Sequence, residues 1–148
     1  MKTETETEQL RDVYTDRGPA DPALAHAVVR TDHQQARVLE FAEAQVQSRT
    51  LHLHAHPTSQ HRSNVRAEHE FFGAVCDALD GIGQVLITGT HTALTDFRHY
   101  ADKHRPLVAA RIAGYELVDH PSDHQLVALA RRFFQQQARL DGDGLLRA

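Results

Sequence analysis

Three strand-length apolar segments follow one another in the first half of the chain, and they constrain the fold more than any other feature. LAHAVVRTD, QQARVLEF and VQSRTLHLH lie at 24–32, 34–41 and 46–54, and they carry the β-branched side chains that favour strands. The breaks between them, TDHQ and AEAQ, are short and polar. Because breaks this short cannot contain a crossover, adjacent strands are predicted to run antiparallel.

Helix-length and strand-length segments alternate in the second half of the chain. VRAEHEFFGAVCDALDGIG, at 65–83, places apolar side chains on one helical face and ends in glycine. A short buried strand, QVLITG, follows at 84–89, and after it comes a helix that Pro106 should end. One face of that helix is expected to carry Leu94, Phe97, Ala101 and His104.

The last two segments complete the predicted architecture. RIAGYELVDH, at 111–120, predicts a fifth strand, and PSDHQLVALARRFFQQQAR predicts a last helix that begins with a capping box from Ser122 to Gln125. The element order is therefore β-β-β-α-β-α-β-α. Right-handed crossovers after three antiparallel strands give a mixed five-stranded sheet, with the fourth strand parallel to the first. This is the connectivity of the ribonuclease-H-like α/β architecture.

Length and composition fit one domain. At 148 residues and 41% hydrophobic, the chain can bury a single core, which we expect at 23–138, between a flexible acidic N-terminal tail at 1–22 and a frayed C-terminus at 139–148. The sequence shows neither a signal peptide nor an apolar run of the ~20 residues that a membrane helix needs, so we expect a cytoplasmic protein without a membrane partner. The single cysteine, Cys76, excludes an intrachain disulfide and a four-cysteine zinc site.

Charge is distributed unevenly along the chain. The net charge of −4 argues against a protein that coats nucleic acid by electrostatics alone, and no DNA partner is expected. Between 49 and 69, however, Arg49, Arg62 and Arg66 accompany five histidines and one acid, Glu68. The sequence therefore predicts that any surface facing a polyanion lies there.

The histidines of this region offer a second interpretation. Alternate residues of a strand share a face, so His52, His54 and His56 would point the same way, and His61 could supply a fourth zinc ligand. Against a metal site, these side chains would be exposed, and 50–67 contains no acid that could orient the imidazoles. No metal or cofactor is therefore favoured, and the alternative is a histidine-rich protein that responds to metal or to pH.

Carboxylates at the ends of the first and fourth strands would indicate a two-metal nuclease. Asp32, which ends the first strand, is placed for one of them, but Gly89 stands at the end of the fourth. Glu70 on the first helix could add a carboxylate, yet two separated acids do not make a two-metal site. We therefore expect no catalytic residue at this end of the sheet and interpret Asp32 as a turn residue.

Three segments carry a resemblance to a known family. HAVVRTDHQQARVLEF, QVLITGTHTALTDFRHYADKH and YELVDHPSDHQLVALARRFF resemble bacterial translational machinery proteins, which are relatives of the archaeal and eukaryotic peptide-chain release factors and of the Pelota-type ribosome-rescue factors. The resemblance covers about 23–137 and implies the middle-domain fold of that family. In release factors, the loop between the third strand and the first helix carries Gly-Gly-Gln, which directs water onto the peptidyl-tRNA ester. LHLHAHPTSQHRSNVR, at 51–66, occupies that position here.

The chain departs from the release-factor pattern at Thr58-Ser59-Gln60, where the two glycines are missing. Threonine and serine lack the backbone freedom of glycine, so no hydrolysis by Gln60 and no enzyme is predicted. The resemblance implies a translation-associated protein that binds the ribosome or tRNA through the 52–66 loop, in ribosome rescue or a stress response. The candidate RNA-binding residues are Arg49, Gln60, His61, Arg62 and Arg66. A purely structural or oligomeric module stays open as a third interpretation, and so does the oligomeric state.

Overall fold

The fold is built from the predicted strands and helices, with one short helix added. The computed structural model describes residues 25–42, 44–53 and 61–147, and at 61–64 and 141–147 it describes the backbone without the side chains. The predicted tail at 1–22 lies outside the described residues. In chain order the elements are β1 (His26–Thr31), β2 (Gln35–Phe41), β3 (Val46–His52), α1 (His61–Ala78), β4 (Gln84–Gly89), α2 (His91–His104), α3 (Pro106–Ala109), β5 (Ile112–Leu117) and α4 (Asp123–Arg147).

The strands form one mixed sheet in the order β3-β2-β1-β4-β5. β2 runs antiparallel to both β1 and β3, whereas β4 runs parallel to both β1 and β5. In the middle of the sheet, Val28 of β1 pairs with Leu39 of β2 and with Leu86 of β4. The predicted five-stranded ribonuclease-H-like sheet, with the fourth strand parallel to the first, is confirmed.

The turn between β1 and β2 is organised by Asp32. Its carboxylate oxygen Oδ1 accepts hydrogen bonds from the backbone N–H groups of Gln34 and Gln35, each at 2.7 Å. Its own backbone N–H donates to the carbonyl oxygen of Gln35 at 3.0 Å. An aspartate that bonds the backbone two residues onward stabilises a tight turn in this way. Asp32 is thus a turn residue, as predicted.

One face of the sheet packs against α1 and α2, and we call it the α1/α2 face. Its strand residues include Ala27, Val29, Val38, Val85 and Ile87. The apolar face predicted for the first helix is buried, and it consists of Phe71, Phe72, Val75, Cys76 and Leu79. Burial raises the pKa of the Cys76 thiol to about 11, which keeps it protonated at neutral pH. Full burial of such an apolar side chain contributes roughly 1.5–3 kcal/mol.

The opposite face of the sheet, which we call the α4 face, packs against α4. Its strand residues Val28, Leu39 and Leu86 meet a smaller set of helix side chains, which includes Leu126, Ala130 and Phe134. The start of the helix is the predicted capping box. The Ser122 backbone N–H donates to Gln125 Oε1 at 2.8 Å, and the Gln125 N–H donates to Ser122 Oγ at 3.2 Å.

Polar contacts also fix α4 to the strands beneath it. The Arg37 guanidinium of β2 donates two hydrogen bonds to the Asp123 carboxylate, from Nε at 3.1 Å and from Nη2 at 2.7 Å. Its Nη1 donates to Thr50 Oγ1 of β3 at 2.6 Å. About two turns further along the helix, Arg131 donates to the carbonyl oxygen of Ala42 at 2.7 Å. Such directional bonds set where the helix lies along the sheet.

Helix α1 begins earlier than predicted. It starts at His61, whereas the apolar pattern placed its start near Val65. The first turn contains no apolar residue, so hydrophobic periodicity could not reveal it. The predicted RNA-binding loop at 52–66 is therefore wrong in extent, because His52 belongs to β3 and the residues from 61 onward are helical.

The remaining differences concern helix ends. The backbone of Arg105, which precedes Pro106, is not helical, so α2 ends at His104 as the proline predicted. Pro106 also begins the short helix α3, which was not predicted. Of the four side chains expected on one face of α2, Leu94, Phe97 and Ala101 are buried and His104 is exposed. α4 continues to Arg147, past the expected domain end at 138, since glycine weakens a helix without having to end it. None of the helices in the described ranges is long and apolar enough to cross a membrane.

Candidate nucleic-acid interface

The predicted RNA-binding residues that the structure describes lie on β3 and α1, on either side of one connection. Arg49 is on β3, where its side chain is half-buried, and Arg66 is on the exposed surface of α1. The backbones of His61 and Arg62 form the first turn of α1, and Gln60 lies outside the described residues. The cationic residues therefore belong to a strand and a helix that flank the β3–α1 connection, which we call the β3–α1 pole.

Arg66 is accessible to an external anion. Its Nε lies 3.4 Å from Glu70 Oε2, one helical turn away, and the two side chains are 79% and 56% exposed. An exposed pair of this spacing contributes only about 0.3–0.5 kcal/mol. The guanidinium can therefore exchange the carboxylate for a phosphate, to which it can donate two parallel hydrogen bonds.

The histidines proposed as zinc ligands are mostly beyond what the structure describes. His52 is the last residue of β3, and its side chain is exposed. His54 and His56 lie outside the described residues, and only the backbone of His61 is described. Within the described part of the chain, no three His, Cys, Asp or Glu side chains stand together as a metal-binding group.

The carboxyl ends of β1 and β4 meet at a narrow cavity of about 100 Å³, which Asp32 and Gly89 both line. One Asp32 oxygen is already used by two backbone N–H groups of the turn. A Cβ added at Gly89 would lie closer to the carbonyl oxygen of Thr31 than Cβ atoms approach other heavy atoms in proteins. Position 89 is thus glycine because the backbone of β1 occupies the place of a side chain.

A larger groove lies between α1 and α2, and sequence reasoning missed it. Three rings contact one another there: the centroids of His69 and Tyr100 are 5.3 Å apart, those of Tyr100 and His104 5.0 Å, and those of His69 and His104 5.8 Å. We call these residues the ring cluster. Tyr100 is almost buried, whereas His69 and His104 are exposed. The groove is shallow and open to solvent, with a volume of about 660 Å³.

Two ion pairs border this α1/α2 groove. One is the Arg66–Glu70 pair, and the other joins Arg105 Nη1 to Asp77 Oδ1 at 2.6 Å. The hydrogen bond to Asp77 raises the pKa of Arg105 above its ordinary value. At the floor of the groove, a Cβ on Gly73 would lie 2.9 Å from the Tyr100 hydroxyl. The missing side chain at 73 is what allows Tyr100 to approach α1.

A partial signal for the ring cluster is present in the sequence. His69 and Gly73 are four residues apart on α1, and Tyr100 and His104 are four apart on α2, so each pair shares a helix face. That the two faces meet depends on how α1 packs against α2, and this packing has no local sequence signature.

Solved structures of two Pelota proteins and of a termination factor share this fold. Archaeoglobus fulgidus Pelota matches with a TM-score of 0.56 and 15% identity, over 98% of this chain and 41% of its own. An archaeal translation termination factor matches with a TM-score of 0.53 and 14% identity, over 68% of this chain and 32% of its own. Thermoplasma acidophilum Pelota matches with a TM-score of 0.50 and 16% identity, over 82% of this chain and 35% of its own.

No family model matches the chain, and no curated protein matches it. At the identities above, the likeness establishes the fold, and the expected release-factor-like α/β fold is confirmed. The chain spans less than half the length of each of the three structures.

Proposed function

We propose that this is a translation-associated protein that binds the ribosome or tRNA through the β3–α1 pole, in ribosome rescue or a stress response. The observation that carries the proposal is the fold that the chain shares with two Pelota proteins and a translation termination factor. The cationic residues add to it, because Arg49 and Arg66 flank the same connection and Arg62 lies in the first turn of α1 between them.

Binding without hydrolysis fits the residues at the β3–α1 pole. The sequence there has Thr58 and Ser59 where release factors carry two glycines. Backbone conformations with positive φ, which glycine adopts freely, are costly for threonine and serine. We therefore propose contact with RNA and no cleavage of the peptidyl-tRNA ester.

Ribosome co-sedimentation tests the proposal directly. Wild type should pellet with ribosomes at about 50 mM salt and less at about 200 mM, because each neutralised phosphate releases counterions. A variant with Arg62→Ala and Arg66→Ala should bind more weakly, and its binding should depend less on salt. Each lost phosphate contact lowers the slope of log affinity against log salt by roughly 0.9 for duplex and 0.7 for single strands.

A matched control removes the same charge elsewhere. Arg132→Ala and Arg139→Ala take two exposed arginines from α4, far in sequence from the β3–α1 pole. This variant should bind ribosomes like wild type. Equal binding by all three proteins at both salts would contradict the role of the pole, and no binding by wild type at either salt would overturn the proposed function.

A further inference from the structure

The ring cluster has the properties of a surface on which a nucleobase stacks. His69 and His104 expose their rings beside the nearly buried ring of Tyr100, and all three are in mutual contact. Neighbouring rings hold each other in place, so little side-chain freedom remains to be lost when a flat ligand binds. Aromatic and histidine rings accept any base in this way, because every base has a π-face.

The border of the groove supplies a site for phosphate next to these rings. Arg66 lies on α1 one turn before His69 and is paired only weakly, with the exposed Glu70. Arg105 lies beside the rings on the other side and is held in place by Asp77. The groove is shallow and open to solvent, so a base can reach the rings without any rearrangement of α1 or α2.

We propose that the α1/α2 groove binds a single unstacked RNA nucleotide, with its base on the ring cluster and its phosphate on Arg66. This site rests on the proposed function and extends it. Arg66 belongs to the β3–α1 pole, and His69 follows on the same helix at a rise of about 4.5 Å. A strand of RNA held at the pole is thus led along α1 into the groove.

Two other occupants fit the groove less well. A metal ion would find two imidazoles, and no third ligand joins them among the described residues. An apolar peptide would meet Arg66, Glu70, Asp77 and Arg105 around the rim, which it cannot satisfy. A nucleotide uses both the rings and the cations.

Binding of the full chain to a short fluorescent oligouridine, followed by anisotropy, tests the site. His69→Ala with His104→Ala should weaken binding about tenfold, because the exposed ring surface for stacking is lost, and should leave the salt dependence unchanged. His69→Phe with His104→Phe keeps the ring faces and should bind within about threefold of wild type. This aromatic rescue would not be seen if the histidines acted only through charge.

The matched control is His91→Ala with His99→Ala, which removes two exposed histidines from α2 outside the groove. This variant should bind like wild type, and thermal unfolding should show that all variants are folded. Unchanged oligouridine binding by the His69/His104 alanine variant would overturn the groove site. If ribosome binding still depends on Arg62 and Arg66 in that case, the proposed function holds without the groove site. If wild type binds neither ribosomes nor oligouridine, both fail.

Discussion

The α1/α2 face and the α4 face belong to one sheet but hold their helices differently. On the α1/α2 face, two helices bury a large apolar cluster that includes Phe72 and Phe97. On the α4 face, one helix buries a smaller cluster, and hydrogen bonds from Arg37 and Arg131 join it to the strands. Apolar packing is strong but weakly directional, whereas hydrogen bonds specify position. The first face therefore supplies most of the stability, and the second fixes the placement of its helix by polar contacts.

The largest expected effect is on the α1/α2 face. Phe72 is fully buried and lies against Phe97 with a ring-centroid distance of 5.4 Å. Phe72→Ala should lower the free energy of unfolding by about 3–5 kcal/mol, since it removes packing and leaves a cavity. Urea unfolding measures the loss, and faster alkylation of the buried Cys76 thiol gives a second readout.

The matched substitution on the α4 face should lower the free energy of unfolding by less. Phe134 is also buried, but it belongs to the smaller cluster. Phe134→Ala should cost about 3 kcal/mol, at the lower end of the range for such substitutions. If it costs as much as Phe72→Ala, the two faces contribute equally and the comparison is broken.

The Arg37–Asp123 contact should have the next largest effect. The two side chains are 13% and 28% exposed, so breaking the pair leaves a partly desolvated carboxylate. Arg37→Met should destabilise the protein by about 2 kcal/mol. In a double-mutant cycle with Asp123→Ala, the two losses should not add, because both changes remove the same contact. Additive losses would show that the pair does not act as a unit.

The capping box should contribute about half as much to the free energy of unfolding as the Arg37–Asp123 contact. Ser122→Ala removes the hydroxyl that accepts from the Gln125 N–H, and it should cost about 1 kcal/mol. Thr90 is the matched control, because it is the N-cap of α2 but its side chain makes no capping hydrogen bond. Thr90→Ala should be close to neutral in thermal unfolding. A loss as large for Thr90 as for Ser122 would contradict the assignment of the capping box.

The smallest effect on stability is expected at the β3–α1 pole. Arg66→Ala breaks only the exposed pair with Glu70, so the free energy of unfolding should change by less than about 0.5 kcal/mol. Chemical denaturation checks this value. A clear loss of stability would mean that weakened ribosome binding by the Arg62→Ala, Arg66→Ala variant reports on folding instead of on RNA contact.

The parts of the fold that were predicted correctly have local signatures. The strands alternate or run apolar over a few residues, the Ser122–Gln125 box spans one helical turn, and Asp32 bonds its own turn. The start of α1 was missed because its first turn is entirely polar. The contact of Arg37 with Asp123 joins residues 86 apart in the sequence, and it depends on where α4 crosses the sheet. The ring cluster also depends on tertiary packing, because its three rings meet only when α1 packs against α2.

Gly89 also limits how this scaffold can be redesigned. An engineer who wishes to place metal-dependent chemistry opposite Asp32 would first consider a carboxylate at the end of β4. Any side chain at 89 would meet the Thr31 carbonyl and force β4 away from β1, the central strand of the sheet, so the substitution would damage the framework that the new site requires. Thr90 is exposed and is the next residue along the chain. A designed metal ligand is better placed there, with the glycine left unchanged.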